Sequence, residues 1–247
     1  MMETAGQILQ TAHSFPFSTL QERLGNGGLV VVAPHPDDES LGCGGLIAEA
    51  GAEGRPTRVI IISDGVGSHP ASKLFPERRL RELREEEARC AVSELGLDPR
   101  NVVFLRLPDR FVPSEGAAAA EATGRIAECI AEVSAQALFV SWRHDPHCDH
   151  QASYRIARAV QARFEALKLY EYTIWGAALR PSALIEGAEK GFRLRIDQVQ
   201  PMKQRAITAH RSQTTDLIND DPNGFRFTEG ELARFILPYE FFFESDP

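Results

Sequence analysis

The sequence predicts an α/β protein: a doubly wound, Rossmann-like, mostly parallel sheet with helices on both faces. Two observations lead there. Short runs rich in β-branched residues alternate along the chain with stretches of helical periodicity. Two dense clusters of histidines and acids then fall directly after two of those runs, where open α/β sheets bind ligands.

The runs come in order. "GLVVVA" ends at Ala33, "TRVIIIS" ends at Ser63, "VVFLRL" spans 102–107 and "ALFVSW" ends at Trp142. Continuous β-branched stretches suit strands covered on both faces, which is the condition of a parallel sheet. "YEYTIWGA" and "FRLRID" read as later strands. Between the first four lie helices. One runs from Leu41 to Ala52. The next carries Leu80, Leu83, Ala88, Ala91, Val92 and Leu95 on one face and stops at Gly96. A third covers about 115–134, with Ser114 as its N-cap, and a fourth follows His150 to about Leu167. "QPMKQRAITAHRSQ" reads as a helix after Pro201. Residues 1–27 form a lead-in segment with some helix, and no repeat or linker divides the chain, so a single domain is expected over 1–247. The glycines of "GCGG" at 42–45 lack the pattern of a phosphate loop and read as close packing of helix on strand.

Composition narrows the function classes. A chain of 247 residues buries a core without staples. The net charge of −8 argues against a nucleic-acid partner, which would call for a basic surface. No apolar run approaches the ~18 residues of a membrane span, so no integral membrane segment is expected. The N-terminus lacks the basic start and apolar block of a secretory signal. Cys43, Cys90, Cys129 and Cys148 are scattered and form no CxxC pair. Free thiols in a cytoplasmic protein suit that pattern better than a disulfide framework.

The first cluster is "PHPDDE", residues 34–39. Pro34 and Pro36 bracket His35, so the chain leaves the ladder there. His35 and Asp38 are a nitrogen and an oxygen ligand type three residues apart, and Asp37 lies between them. The second cluster, "RHDPHCDHQA" from Arg143 to Ala152, holds His144, Asp145, His147, Asp149 and His150. Two histidines with one carboxylate make a common catalytic zinc set that leaves a position open for water. Taken singly, each cluster also has an ordinary structural reading: Asp38 or Glu39 as a helix cap, His147 and His150 as surface loop residues.

"APHPDDESLGCGG" together with "HCDHQA" resembles the PIG-L/LmbE-like family of zinc-dependent N-deacetylases. The family's first motif is A-H-P-D-D-E; here Pro34 stands before the histidine. Its second motif is often H-P-D-H; here it is His147-Cys148-Asp149-His150, with cysteine replacing proline and a thiol brought near the metal. Weaker matches follow in the right order. "LREEEARCAVSELGL" places the family's arginine at Arg84, "LRLPDR" its acid at Asp109, and "KQRAITAHRSQ" its histidine at His210.

The resemblance implies that Zn²⁺ is held by His35, Asp38 and His150, that Asp37 is the general base, and that His147 stabilises the oxyanion. Asp149 is placed to accept a hydrogen bond from one imidazole nitrogen, fixing its tautomer and favouring its charged form, or else to cap the helix that follows. Arg84, Asp109 and His210 are candidate substrate contacts; His144 qualifies by proximity alone. The loop 64–79 and the C-terminal third are expected to select the substrate. The implied activity is removal of an N-acyl group, acetyl above all, from an amino sugar or related small metabolite, with homo-oligomers common in the family. The alternatives are a metallohydrolase acting on another amide, a carbamate or an ester, and a metal-binding protein without catalysis. A spare Asp37 beside the ion weighs against the last of these.

Overall fold

Consecutive β-branched residues make both faces of a strand apolar, and in this chain both faces are covered. The computed structural model describes residues 2–186 and 190–245. Its strands are β1 (Met2–Thr4), β2 (Gly28–Ala33), β3 (Thr57–Ser63), β4 (Val102–Leu107), β5 (Ala135–Ser141), β6 (Lys168–Tyr172), β7 (Leu184–Glu186), β8 (Gly191–Arg195) and β9 (Tyr239–Glu244). Seven of them form one sheet in the order β4-β3-β2-β5-β6-β9-β8; β1 and β7 pair separately. The pairs from β4 across to β6 are parallel, and β9 runs antiparallel to both β6 and β8.

The helices are α1 (Ala5–Ala12), α2 (Leu20–Leu24), α3 (Asp38–Ala52), α4 (Glu77–Glu94), α5 (Gly116–Glu132), α6 (Cys148–Gln161), α7 (Gln200–Ala209), α8 (Arg211–Thr214) and α9 (Glu229–Leu232). Alternate residues of β2 and β3 divide between two cores, as the pleat requires. Leu29, Val31, Val59 and Ile61 pack with Leu46 and Ile47 of α3, Val92 of α4 and Ile207 of α7. Val30, Val32, Ile60 and Ile62 pack with Ile126 and Ile130 of α5 and Ile156 and Val160 of α6. Each such fully buried side chain contributes about 1.5–3 kcal/mol. This is the doubly wound arrangement that the sequence predicts.

The boundaries differ in instructive ways. α3 begins at Asp38, not Leu41, because the acids of the first cluster lie inside its first turn. Ser114 is not the cap of α5: Glu115 is, and the Ser114 hydroxyl accepts from Arg155 instead. α6 starts at Cys148, capped by the His147 ring, and ends at Gln161, so it is shifted toward the N-terminus of the predicted span. "YEYTIWGA" leaves the sheet after Tyr172. The helix after Pro201 breaks at His210 and resumes as the four-residue α8. The lead-in segment is more integrated than its composition suggests. Thr4 and Gln7 form a capping box on α1, and Ile8, Leu20 and Leu24 are buried.

The "GCGG" run packs more widely than helix on strand. A Cβ on Gly42 would stand 2.1 Å from the Tyr172 ring, and one on Gly45 2.4 Å from Ile196. The Glu240 carboxylate accepts from the backbone N–H of Gly45 (2.7 Å) and Leu46 (2.8 Å) and pairs with buried Lys203 (2.7 Å), joining α3, α7 and β9. Tyr172 cannot easily yield to a larger neighbour, since its hydroxyl donates to the Val32 carbonyl at 2.8 Å. Gly42→Ala should therefore destabilise the protein by about 1–3 kcal/mol, the usual cost of overpacking. Chemical denaturation measures it; an unchanged midpoint would contradict this packing.

Candidate active site

β2 and β5 are neighbours from which the chain winds in opposite directions, to β3 on one side and β6 on the other. Their carboxyl ends form the switch point of the sheet, where α/β folds open a crevice. After β2 the chain turns through Pro34–Pro36; after β5 it runs 142–147 and enters α6.

The two ends meet at three atoms. His35 Nδ1 and Asp38 Oδ2 lie 3.2 Å apart, His150 Nε2 and Asp38 Oδ2 3.2 Å, and His150 Nε2 and His35 Nδ1 3.3 Å. Three electron-pair donors that face one another need a cation or protons between them. Tetrahedral zinc with bonds of about 2.0–2.1 Å sets its ligand atoms about 3.3–3.4 Å apart, so this donor set fits such an ion. All three residues are buried, His150 completely.

Carboxylates stand behind both rings. His35 Nε2 faces Asp149 Oδ2 at 3.2 Å and Asp109 Oδ1 at 3.3 Å. His150 Nδ1 faces Asp145 Oδ2 at 3.3 Å. Protons are thereby favoured on the far nitrogens and lone pairs toward the triangle. Burial alone would lower the histidine pKa values, but these acids and Asp38 more than reverse that. His35 is raised well above its ordinary value, and His150 to about 9. Burial likewise opposes ionisation of Asp38, yet His150 and His35 hold it well below the usual carboxylate range.

Asp37 is buried beside the triangle with a positive φ of 155°. Its backbone N–H donates to Glu39 Oε2 (3.0 Å), and its carboxylate accepts from Arg84 Nη2 at 3.1 Å. The same Arg84 nitrogen donates to the Pro36 carbonyl (2.8 Å), and Nη1 donates to that of Gly65 (2.7 Å). Burial pushes the Asp37 carboxyl up to about 7; Arg84 works against that and Asp38 with it. His147 caps α6, its Nδ1 accepting the Asp149 backbone N–H at 3.2 Å. Burial and the neighbouring His35 and His150 lower its pKa.

The structure thus brings His35, Asp37, Asp38, Arg84, Asp109, His147, Asp149 and His150 together. Several do other work than the sequence suggests. The Asp149 carboxylate does face an imidazole nitrogen, that of His35, and also accepts from the backbone N–H groups of Arg110 (2.6 Å) and Val112 (3.0 Å). His147 has its tautomer set by the Asp149 main chain, and its neutral form is favoured. Arg84 and Asp109 line the cavity but bond mainly to protein, Asp109 accepting from Gly67 N at 2.8 Å. His210 is buried outside the cavity lining, its Nε2 2.8 Å from Glu39 Oε1. Glu39 is therefore a buried partner of His210 as well as of the Asp37 amide. His144 packs edge-on against Trp142, away from the cavity lining.

Sequence reasoning left other residues without a role. Asp145 is fully buried, and its Oδ1 accepts the His147 N–H at 3.1 Å. Its Oδ2 faces His150 and accepts the Trp175 N–H at 2.8 Å. Its only signal was membership of the second cluster. The cavity, of about 140 Å³, has His35, Asp37, Asp38 and His147 in its lining. Loop 64–79 supplies Gly67 and Ser68, the C-terminal third supplies Gln213, and Trp175, Phe225 and Phe227 form an aromatic wall. Trp175 stacks on Phe227 (5.4 Å, 7°) with Phe225 edge-on. Nothing in the sequence spacing announced that wall.

Fold and site together define a class: a doubly wound α/β protein with a buried two-histidine, one-aspartate cluster at the switch point. Within it, the chain belongs to the PIG-L family, whose profile, described as GlcNAc-PI de-N-acetylase, matches residues 30–161. It is 27% identical over 233 residues to a 2'-N-acetylparomamine deacetylase of Streptomyces fradiae, covering 85% of this chain and 82% of that protein. It is 29% identical over 213 residues to a probable N-acetyl-alpha-D-glucosaminyl L-malate deacetylase 2 of Bacillus subtilis (84% and 93% covered). Among solved structures, the 4-carboxy-2-hydroxymuconate hydratase of Pseudomonas putida KT2440 shares the fold, with TM-score 0.64 and 17% identity over 90% of this chain and 97% of that one.

Asp145 offers a test of this geometry. Asp145→Asn keeps the shape but puts an N–H group where the carboxylate faces His150. Affinity for a divalent ion should fall roughly 10–100-fold, the usual effect of losing a partner behind a ligand. Titration of the metal-free protein with a competing chelator measures it. Unaltered affinity would show that Asp145 serves only the Trp175 and His147 backbone.

Proposed function

We propose that this protein is a zinc-dependent hydrolase that removes an N-acyl group, in the main N-acetyl, from an amino sugar or a related small metabolite. The observation that carries the reading is the 3.2–3.3 Å triangle of His35 Nδ1, Asp38 Oδ2 and His150 Nε2 with the Asp37 carboxylate beside it. The two deacetylase relatives support the reaction and the sugar-like substrate. Held by His35, Asp38 and His150, zinc would polarise the amide carbonyl and make a water acidic near neutral pH.

The chain's own residues supply the rest. Asp37, raised by burial to about 7, is basic enough to take a proton from the attacking water and acidic enough to return it to the leaving amine. Arg84 holds that carboxylate in place and limits its rise. His147, neutral and with Nδ1 occupied by the Asp149 N–H, carries its proton on Nε2 and donates it to the oxyanion that develops on the carbonyl. Asp109 and Asp149 steady His35, and Asp145 steadies His150. Trp175 and Phe225 present apolar surface to the substrate's ring. Four free cysteines suit a reducing cytoplasm. No helix among the described residues is long and apolar enough to cross a membrane.

A second reading rests on the donor set itself, which can activate water against other acyl centres: a metallohydrolase acting on another amide, a carbamate or an ester. A panel of N-acetylated sugars, simple esters and carbamates, with free amine or acid as readout and zinc added or chelated, separates the two. Three variants then test the roles. Asp37→Asn should keep its metal and lose roughly 10²–10⁴ of the rate. His147→Ala should keep its metal and lose about 10²–10³ in kcat. Asp38→Ala should lose metal first and recover part of its activity in excess zinc. Equal metal loss in all three, or near-normal turnover by Asp37→Asn, contradicts the assignment.

A further inference from the structure

The second cluster carries metal-ligating atoms that the triangle leaves unused. We infer that His147, Cys148 and Asp149 form a second, inhibitory site for a thiophilic dication such as zinc or cobalt. One ligand atom from each of the three lies within 4.8 Å of the others. Cys148 Sγ stands 3.7 Å from Asp149 Oδ1. Zinc bonds of about 2.3 Å to sulfur and about 2.0 Å to oxygen, at a tetrahedral angle, set those atoms about 3.5 Å apart.

The site is distinct from the triangle. Asp149 turns Oδ2 to His35 and Oδ1 to Cys148, so the two faces of one carboxylate serve two places. Cys148 is exposed, whereas His150 and Asp38 are buried, so an ion reaches the thiol from solvent. The thiol's contact here is weak, 3.4 Å to the Arg110 carbonyl. On binding, the S–H bond breaks, its proton leaves to solvent, and the thiolate pair forms the metal–sulfur bond. Thiolate favours soft and borderline ions over magnesium or calcium. The ion takes the Nδ1 lone pair of His147 in place of the Asp149 N–H, whose hydrogen bond breaks, and draws that ring out of position, which stops Nε2–H from donating to the substrate. The inhibitory half rests on the role of His147 given above; the binding half does not.

Cobalt tests binding without any turnover. A first equivalent, in the triangle, sees nitrogen and oxygen only. A second should bring a thiolate-to-cobalt charge-transfer band. Cys148→Pro should abolish that band and raise the zinc concentration needed for inhibition by at least about tenfold, as losing even a secondary metal partner does. Proline is well tolerated there because Cys148 is the first residue of α6, where a backbone N–H is not needed. Cys90→Ser, which removes the other exposed thiol, should leave the band intact. No band at any cobalt excess, or a band that survives in Cys148→Pro, overturns the site. A Cys148-dependent band with undiminished turnover in excess zinc keeps the site and overturns its inhibitory effect; the loss of rate in His147→Ala decides the role of His147 separately.

Discussion

Three electron-pair donors from two strand ends point at one spot, and the surrounding structure serves to keep them there. Left without a positive charge between them, His35 Nδ1, His150 Nε2 and Asp38 Oδ2 would repel at 3.2–3.3 Å. Without an ion, protonation of the two rings supplies that charge, favoured by Asp38 and by Asp109, Asp149 and Asp145 behind them. An ion of the right size would take the place of those protons. The parallel sheet makes this possible, since β2 and β5 are adjacent and both deliver their polar loops to the same edge.

Rigidity is concentrated behind the site. Arg84 reaches across from α4 to Gly65, Pro36 and Asp37, fixing a positive-φ aspartate in a place few side chains tolerate. Glu39 holds the Asp37 amide and reaches His210 in the C-terminal third. Asp145 joins a triangle histidine, the His147 backbone and the Trp175 backbone. The cavity's aromatic wall is thus linked to the same buried carboxylate that steadies the triangle.

Much of this is legible in the sequence. The β-branched runs and their alternation with helices specified the sheet, because burial on both faces leaves no other pattern. The clusters at residues 34–39 and 143–152 marked the site because acids and histidines rarely follow a buried strand without a use. Partner choice was not legible. Asp149 sits two residues from His147 in sequence, yet its carboxylate serves His35, since the start of α6 turns it toward the loop at Arg110 and Val112. His210 looked like a substrate contact and is a buried partner of Glu39. β9, with its "YEFFFE" run, and the Trp175–Phe225–Phe227 wall depend on long-range packing that local spacing does not encode.

The central claim is that the triangle is a metal site from which protons must be displaced. Calorimetric titration of the metal-free protein with Zn²⁺, in buffers of different ionisation enthalpy across pH 6–10, tests it most directly. His150 keeps its proton up to about pH 9, and His35 is raised as well. At neutral pH the first tight equivalent should therefore release protons to the buffer. Its affinity should climb as pH rises through about 9, as the competing protons leave. Absence of a tight first equivalent, or one whose affinity is flat across that range with no proton release, would contradict the account.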